Sequence, residues 1–315
     1  MTQPFFSVII PIYNRADILG IAIASVQAQT CQDFEIVVVD DGSNDDPAAA
    51  IAAIGDPRIR FFRQDNAGGG AARNRAMDEA RGKFIAPLDS DDVFLPHHLA
   101  RMKALLEGTT NTAGYARMRV DRGGGRVFLK PPRALREDEH MAEYLLCDRG
   151  FIPTITVVVE TQMARRVRYS GLRPAEDTDL AIRLYNAGCK FIMVDEPGAV
   201  WRDVSDPNRT SATRGADRFG KWLEFMKPDI PERAYHGGRG WAYAKLVSRN
   251  DRVRALRLYL TALRHRCYSP RLAVIVLLQI LLTDAGYRTM ADRAIASLGA
   301  GMREKAMPGK RHAAT

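Results

Sequence analysis

With 315 residues, 46% hydrophobic and 26% charged, the chain has room for an α/β unit of about 200 residues plus an appended one, and its composition excludes a disordered protein. Four scattered cysteines (Cys31, Cys147, Cys189, Cys267) lack the paired spacing of a disulfide framework or a zinc site, which points to a reducing compartment. The net charge of +9 is uneven: residues 1–209 carry 26 Lys and Arg against 29 Asp and Glu, whereas residues 210–315 carry 20 against 8.

The first predicted element is the apolar run Ser7-Val8-Ile9-Ile10-Pro11-Ile12, a strand that breaks at Tyr13-Asn14-Arg15 before helical spacing takes over from Ala16 to Gln29. Pro11 and Asn14 interrupt the apolar start, which argues against a secretory leader. Phe34 to Val39 forms a second strand, ends in Asp40-Asp41-Gly42-Ser43-Asn44-Asp45-Asp46 and precedes a helix-like run of Ala and Ile. The third strand, Ile59-Arg60-Phe61-Phe62, leads to Gln64-Asp65-Asn66-Ala67-Gly68-Gly69-Gly70 and a helix from Ala71 to Ala80. A fourth, Lys83 to Leu88, runs straight into Asp89-Ser90-Asp91-Asp92. Strands alternating with helices in this way describe a doubly wound, mostly parallel sheet with helices on both faces. Every polar cluster falls at a carboxyl strand end, where open α/β sheets bind ligands.

The clusters differ in chemistry. Asp89, Asp91 and Asp92 repel one another unless a cation sits among them, and hard oxygen ligands suit Mg2+ or Mn2+. The alternative is a capping turn before the helix that starts near Leu95. Asp40 and Asp41 read as an Asx-turn with Gly42 at positive φ, or as a binding carboxylate beside one. Gly68-Gly69-Gly70 lets backbone approach a ligand, but its spacing is neither a dinucleotide fingerprint nor a P-loop. Further on, Asn111 to Pro132 reads as a hairpin and Thr154 to Val159 as the next strand. Glu176-Asp177 opens a helix whose apolar face holds Leu180, Ile182, Leu184 and Tyr185. Carboxylates there serve as dipole and capping residues or do chemistry.

The ordered motifs Ser7-Val8-Ile9-Ile10-Pro11-Ile12-Tyr13-Asn14, Val38-Val39-Asp40-Asp41-Gly42-Ser43, Asn66-Ala67-Gly68 with Ala72-Arg73-Asn74, Leu88-Asp89-Ser90-Asp91-Asp92, and Ala175-Glu176-Asp177-Thr178-Asp179-Leu180-Ala181-Ile182-Arg183-Leu184 resemble the family 2 glycosyltransferases. These are inverting enzymes of the GT-A α/β fold that use nucleotide-sugar donors. The resemblance covers residues 5 to about 210, so it implies a catalytic domain over 1–210, with a nucleotide-binding half (1–106) and an acceptor half (107–210). Residues 211–315 then form a helical basic C-terminal extension.

The resemblance also implies roles. Pro11, Tyr13, Asp41, Asn66, Arg73 and Asp89 would hold the nucleotide, with Asp41 accepting the N3-H of a uracil ring. Asp91 would hold the divalent cation, Mg2+ or Mn2+, and Asp177 would be the catalytic base. Glu176, Asp92 and Arg202 would contact the acceptor or support these residues. Many relatives carry Arg-x-His after the run Phe191-Ile192-Met193-Val194; here Asp203 or Val204 stands in place of the His, leaving Arg202 or Arg209 to face the phosphates. The implied partners are a nucleotide-sugar donor, expected to be UDP-linked, and a saccharide or lipid-linked acceptor of polysaccharide synthesis.

In the tail, six arginines from Arg249 to Arg266 precede an apolar run from Leu272 to Leu282. That run is too short for a bilayer, which needs about twenty residues, so it reads as a core helix or as one lying on an anionic membrane surface. The expected location is cytoplasmic, peripheral at the inner face of the plasma membrane. No zinc-finger, RNP-like or recognition-helix pattern supports nucleic-acid binding. His140, His236, His265 and His312 lack partner spacing and read as surface residues. Two other readings stand beside the transferase. A nucleotidyltransferase would want a Gly-rich basic loop where Tyr13-Asn14-Arg15 lies, and an inert membrane-associated scaffold would not need Asp41, Asp91 and Asp177.

Overall fold

A computed structural model describes residues 3–123, 126–171, 175–203, 216–283, 286–287 and 289–290. Its first half is the alternating pattern read from the sequence: β1 (Phe6–Ile12), α1 (Ala16–Gln27), β2 (Phe34–Asp40), α2 (Pro47–Ile54), β3 (Ile59–Arg63), α3 (Gly69–Glu79) and β4 (Phe84–Pro87). Then come β5 (Val93–Phe94), α4 (His98–Leu106), β6 (Thr112–Asp121), β7 (Val127–Lys130), α5 (Met141–Cys147), β8 (Val158–Glu160), α6 (Thr161–Val167), α7 (Glu176–Asn186) and β9 (Lys190–Arg202). Among the described residues the sheet has nine strands in the order β3-β2-β1-β4-β8-β6-β9-β5, with β7 on the edge of β6.

The β3-β2-β1-β4 portion is parallel. The second portion is mixed: β8 runs against both β4 and β6, β9 runs with β6, and β5 runs against β9. β6 and β7 form the antiparallel hairpin expected between Asn111 and Pro132. The strand expected from Thr154 begins later. Thr154–Thr156 is a 3-10 turn, because Thr156 Oγ1 donates to the Ala116 carbonyl (2.7 Å) and Thr154 Oγ1 to Asp177 instead of their joining a ladder.

β1 and β2 are sandwiched, which is why they read as unbroken Val/Ile runs. Their alternation sorts side chains between two cores. Ile9, Val37 and Val39 face α3, α5 and α7, while Val8, Ile10, Ile36 and Val38 face α1 and α4. The tail is part of this architecture. On α8 (Ala216–Met226), Phe219, Trp222 and Leu223 enter the first core alongside Leu180 and Leu184. α9 (Glu232–Gly238) follows, then a π-helical turn (Arg239–Tyr243), α10 (Ala244–Val247), α11 (Arg252–Arg264) and α12 (Pro270–Leu281). The apolar run of the tail is thus α12; Leu272, Val276 and Ile280 are buried in a third cluster with Ala255, Tyr259 and Cys147. All four cysteines are free thiols.

His98, at the start of α4, is buried where β5 meets β9; a Cβ on Gly198 would lie 2.3 Å from its Nδ1. Neither ring nitrogen has a hydrogen-bond partner, and burial, aided by Arg101, pushes its pKa from 6.5 down to about 3. The unfolded chain therefore takes up a proton near pH 6.5 that the folded protein refuses until near pH 3. Stability is complete above the upper value and falls as the pH drops through that window, by about 1.4 kcal/mol per pH unit. His98→Leu is expected to flatten this acid limb when urea midpoints are followed with pH. An unchanged slope would show that the loss comes from other groups.

Candidate active site

The carboxyl ends of β1, β2 and β4 bring the polar clusters to one edge. Parallel pairing sets Pro11 beside Val39 and Ile12 beside Asp40, so the β1 exit, with Pro11 and a half-exposed Tyr13, adjoins the Asp40-Asp41 turn. Asp40 is the Asx-turn residue: it accepts from the Ser43 N–H at 2.9 Å and pairs with Arg63 at 2.9 Å. Asp41 does something else. Its carboxylate accepts from Gln64 Nε2 (2.8 Å), Ala67 N (2.9 Å) and Gly68 N (2.7 Å), while Asn66 Nδ2 donates to its carbonyl (2.9 Å). Asp41 thus shapes the loop that enters α3. Three donors on a carboxylate with about four lone-pair sites leave room for one more. Gly42 is obligatory beside it: φ is +78°, and a Cβ would meet Asn66 N at 2.9 Å.

After β4, the aspartates point to different partners. Asp89 meets Arg73 Nη2 at 2.5 Å, and Asp91 pairs with Arg15 Nη1 at 2.7 Å. Asp92 is buried and accepts from the backbone N–H of Arg202 at 3.2 Å, tying the turn to the end of β9; the Arg202 side chain is exposed. The repulsion read from the sequence is therefore relieved at Asp89 and Asp91 by arginine side chains.

Arg73 also reaches across the molecule. Its Nη1 meets Glu176 at 3.2 Å, so one guanidinium bridges the end of β4 to the start of α7, and it lies over the Tyr169 ring. Burial pulls the Arg73 pKa down, but Asp89, Tyr169, Asp177 and Glu176 outweigh that and hold it well above its ordinary value. Asn74, one residue on, clamps Tyr169 through both backbone groups at 2.8 Å each. A cavity of about 170 Å³ opens here, lined by Gly68, Gly70, Asn74, Tyr169, Ser170 and Glu176. Next to Glu176, Asp177 accepts a hydrogen bond from the Thr154 hydroxyl. Asp179 is an anchor, fully buried, accepting from Ser170 (2.7 Å), Arg183 (2.5 and 2.9 Å) and Trp222 of α8 (3.0 Å).

Asp203, one of the two residues that the resemblance sets in place of the His, pairs with Arg122 at 3.1 Å; Val204 and Arg209 lie outside the described residues. The sequence reading missed Lys130, whose ammonium lies over Phe128, Phe151 and Trp201 and is pushed down to about 8 by burial, with Arg122 adding to the effect. It also missed Arg15, although its place directly after Tyr13-Asn14 at a strand exit could have marked it.

The sequence profile of Glycosyl transferase family 2 matches residues 7–169, just over half of the chain. The chain belongs to that family. It is 28% identical over 241 residues to the amylovoran biosynthesis glycosyltransferase AmsB of Erwinia amylovora, covering 72% of this chain and 79% of AmsB. It is 47% identical over 100 residues to the succinoglycan biosynthesis protein ExoO of Rhizobium meliloti, covering 31% of this chain and 29% of ExoO. Some relatives are much longer: the chain spans 27% of a Rickettsia bellii glycosyltransferase that is 30% identical over 191 residues. The fold resembles Staphylococcus aureus TarS residues 1–349 in complex with UDP-GlcNAc (TM-score 0.60, 16% identity, 90% of this chain and 89% of that one). It also resembles the mannosyltransferase PcManGT of Pyrobaculum calidifontis in complex with GDP-Man and Mn2+ (TM-score 0.53, 17% identity, 89% and 86%). The family 2 transferase is therefore a GT-A enzyme, and AmsB and ExoO among its relatives are named for the biosynthesis of the polysaccharides amylovoran and succinoglycan. Among the described residues no helix is long and apolar enough to cross a membrane.

Proposed function

We propose that the enzyme transfers a sugar, with inversion, from a UDP-linked donor to a hydroxyl of a saccharide or lipid-linked acceptor in polysaccharide assembly. The observation that carries this reading is Arg73, which joins the nucleotide-side carboxylate Asp89 to the Glu176-Asp177 pair across the cleft. The nucleoside would lie at the β1 and β2 exits, with Pro11 and Tyr13 along the base and ribose and Asp41, steadied by the Asn66 loop, accepting the imide N–H. Asp91 offers hard carboxylate oxygens, compensated by Arg15 in this structure, and so fits a divalent cation such as Mg2+ or Mn2+. When bound, that cation supplies Lewis-acid support to the leaving diphosphate. Asp177 takes the proton from the acceptor hydroxyl as its oxygen bonds to C1 and the C1–O bond to the diphosphate breaks. Glu176 and Asp92 hold the loops on either side, and Arg202 supplies exposed positive charge at the β9 end.

Fold neighbours bind UDP-GlcNAc and GDP-Man, so the base preference rests on the Asp41 loop alone. A base without the imide donor would leave that carboxylate underpaired. UDP is therefore expected to bind more tightly than CDP, and Asp41→Asn to shrink the difference. Calorimetric titration of UDP, CDP and GDP checks this; equal affinities for the unsubstituted protein would remove the uracil assignment. A nucleotide-sugar turnover screen distinguishes this enzyme from a nucleotidyltransferase, which would release pyrophosphate.

The same proposal seats the enzyme peripherally on an anionic membrane. Val253, Leu260 and Val274 are exposed on α11 and α12, interleaved with exposed Arg257, Arg264 and Arg271, and a lipid-linked acceptor would be presented at that surface.

A further inference from the structure

Two of the four histidines that lack partner spacing in the sequence meet in the structure. His140 caps α5, accepting from Ala142 N at 3.1 Å, and His312 lies outside the described residues. His236 on α9 and His265, the residue that ends α11, stack with ring centroids 3.8 Å apart and planes 16° from parallel. Glu232, one turn before His236, brings its Oε1 to 3.7 Å from His236 Nε2. A ligand atom from each of the three lies within 4.8 Å of the other two.

The backbone beneath these residues is fixed by bonds between their immediate neighbours. Arg233, next to Glu232, donates to the carbonyls of Arg266 (3.1 Å) and Cys267 (3.4 Å), the two residues that follow His265. The thiols of Cys147 and Cys267 both donate to the Arg233 carbonyl, at 3.4 and 3.2 Å. Tyr268 donates to the carbonyl of Gly237, next to His236, at 2.6 Å. Arg266 holds φ at +51°, so His265 is presented from a sharp turn and not from a continuing helix. Two imidazoles and a carboxylate, drawn from two separate segments, are thus held facing one another on a braced frame.

We propose that Glu232, His236 and His265 form a binding site for a zinc-class divalent ion, distinct from the carboxylate turn after β4. Two neutral imidazoles with one carboxylate are a recurrent zinc donor set, leaving a fourth position for water. Zn–N bonds of about 2.0–2.1 Å place tetrahedral ligand atoms roughly 3.3 Å apart. The observed spread of up to 4.8 Å closes by side-chain rotation. Glu232, whose side chain is 76% exposed, is free of packing that would prevent it. The ion would pin α9 to the α11–α12 turn and so lock the tail helices into one unit. Imidazole ligands select Zn2+ over Mg2+, so the site does not compete with the oxygen-only turn for the same metal.

The test is calorimetric titration of the full chain with ZnCl2 in millimolar Mg2+, which saturates oxygen-only sites. One Zn2+ per chain is expected, with affinity at least tenfold weaker in both His265→Ala and Glu232→Gln, and a Zn2+-dependent rise in Tm that both variants lose. Co2+ in place of Zn2+ should give the visible absorption of a low-coordinate nitrogen site. Glu232→Gln alters an exposed side chain, so it remains informative if His265→Ala folds poorly. Absence of saturable uptake, or equal affinity in the variants, would overturn the site and leave an adventitious ion only. Sugar transfer in Mg2+ should be unchanged by Glu232→Gln.

Discussion

Asp177→Asn is expected to leave donor affinity unchanged and to slow transfer by ~10²–10⁴-fold, the usual contribution of a general base. The substitution preserves shape and removes the proton acceptor, so raising the pH should not rescue it. Asp177 and its neighbour are held by different hydrogen bonds. The Glu176 carboxylate meets the Arg73 guanidinium directly, at 3.2 Å. The Thr154 hydroxyl donates to Asp177 and fixes its direction, while Arg73 acts electrostatically on both carboxylates. Donor affinity and transfer rate measured on the same preparation, with Glu176→Gln alongside, check the assignment. If Glu176→Gln is the inactive enzyme and Asp177→Asn the active one, the base is Glu176. If both stay active, the start of α7 is only a cap.

The parallel half of the sheet was legible because β1, β2 and β4 are buried on both faces and run into residues that cannot continue a ladder. Asp40-Asp41-Gly42 and Asp89-Ser90-Asp91 mark their strand ends by chemistry as much as by pattern. The second half was harder to read, since β8 is three residues long and lies between antiparallel neighbours. Thr154 and Thr156 looked like strand residues from their β-branched type, yet their hydroxyls bond to Asp177 and to the Ala116 carbonyl. Local propensity lost to tertiary hydrogen bonds there.

Site residues followed the same division. Asp41 and Asp89 could be picked out from strand-end position, but not what they touch. Nothing local to Arg73 announces that it bridges Asp89 and Glu176, because Glu176 lies 103 residues further along the chain. Asp179, which could have been taken for another catalytic carboxylate beside Asp177, is buried under α8 through Trp222. The tail shows the converse case. Its charge gave no sign that Phe219, Trp222 and Leu223 join the core that holds Leu180 and Leu184 of α7. A net positive composition describes a surface; it says little about which apolar face lies beneath it.

Asp91→Ala is expected to abolish the mutual tightening of Mn2+ and UDP and to cut transfer by at least ~10²-fold, since metal support of a leaving diphosphate is worth several kcal/mol and each ~1.4 kcal/mol is tenfold in rate. The pairing with Arg15 sharpens this. At 2.7 Å the guanidinium occupies one oxygen of Asp91, so a cation and Arg15 compete for the same carboxylate. Arg15→Ala should therefore bind Mn2+ more tightly than the unsubstituted protein when no nucleotide is present, the opposite sign to Asp91→Ala. A diphosphate brings negative charge that can receive the displaced arginine, which makes metal and nucleotide binding cooperative through a residue that need not touch the metal. Calorimetric titration of Mn2+ with and without UDP, on the three proteins, reads both effects at once. Coupling of unchanged size in Asp91→Ala would move the metal ligand to Asp89 or Asp92. Unchanged bare-metal affinity in Arg15→Ala would mean that this half-buried ion pair is too weak to compete.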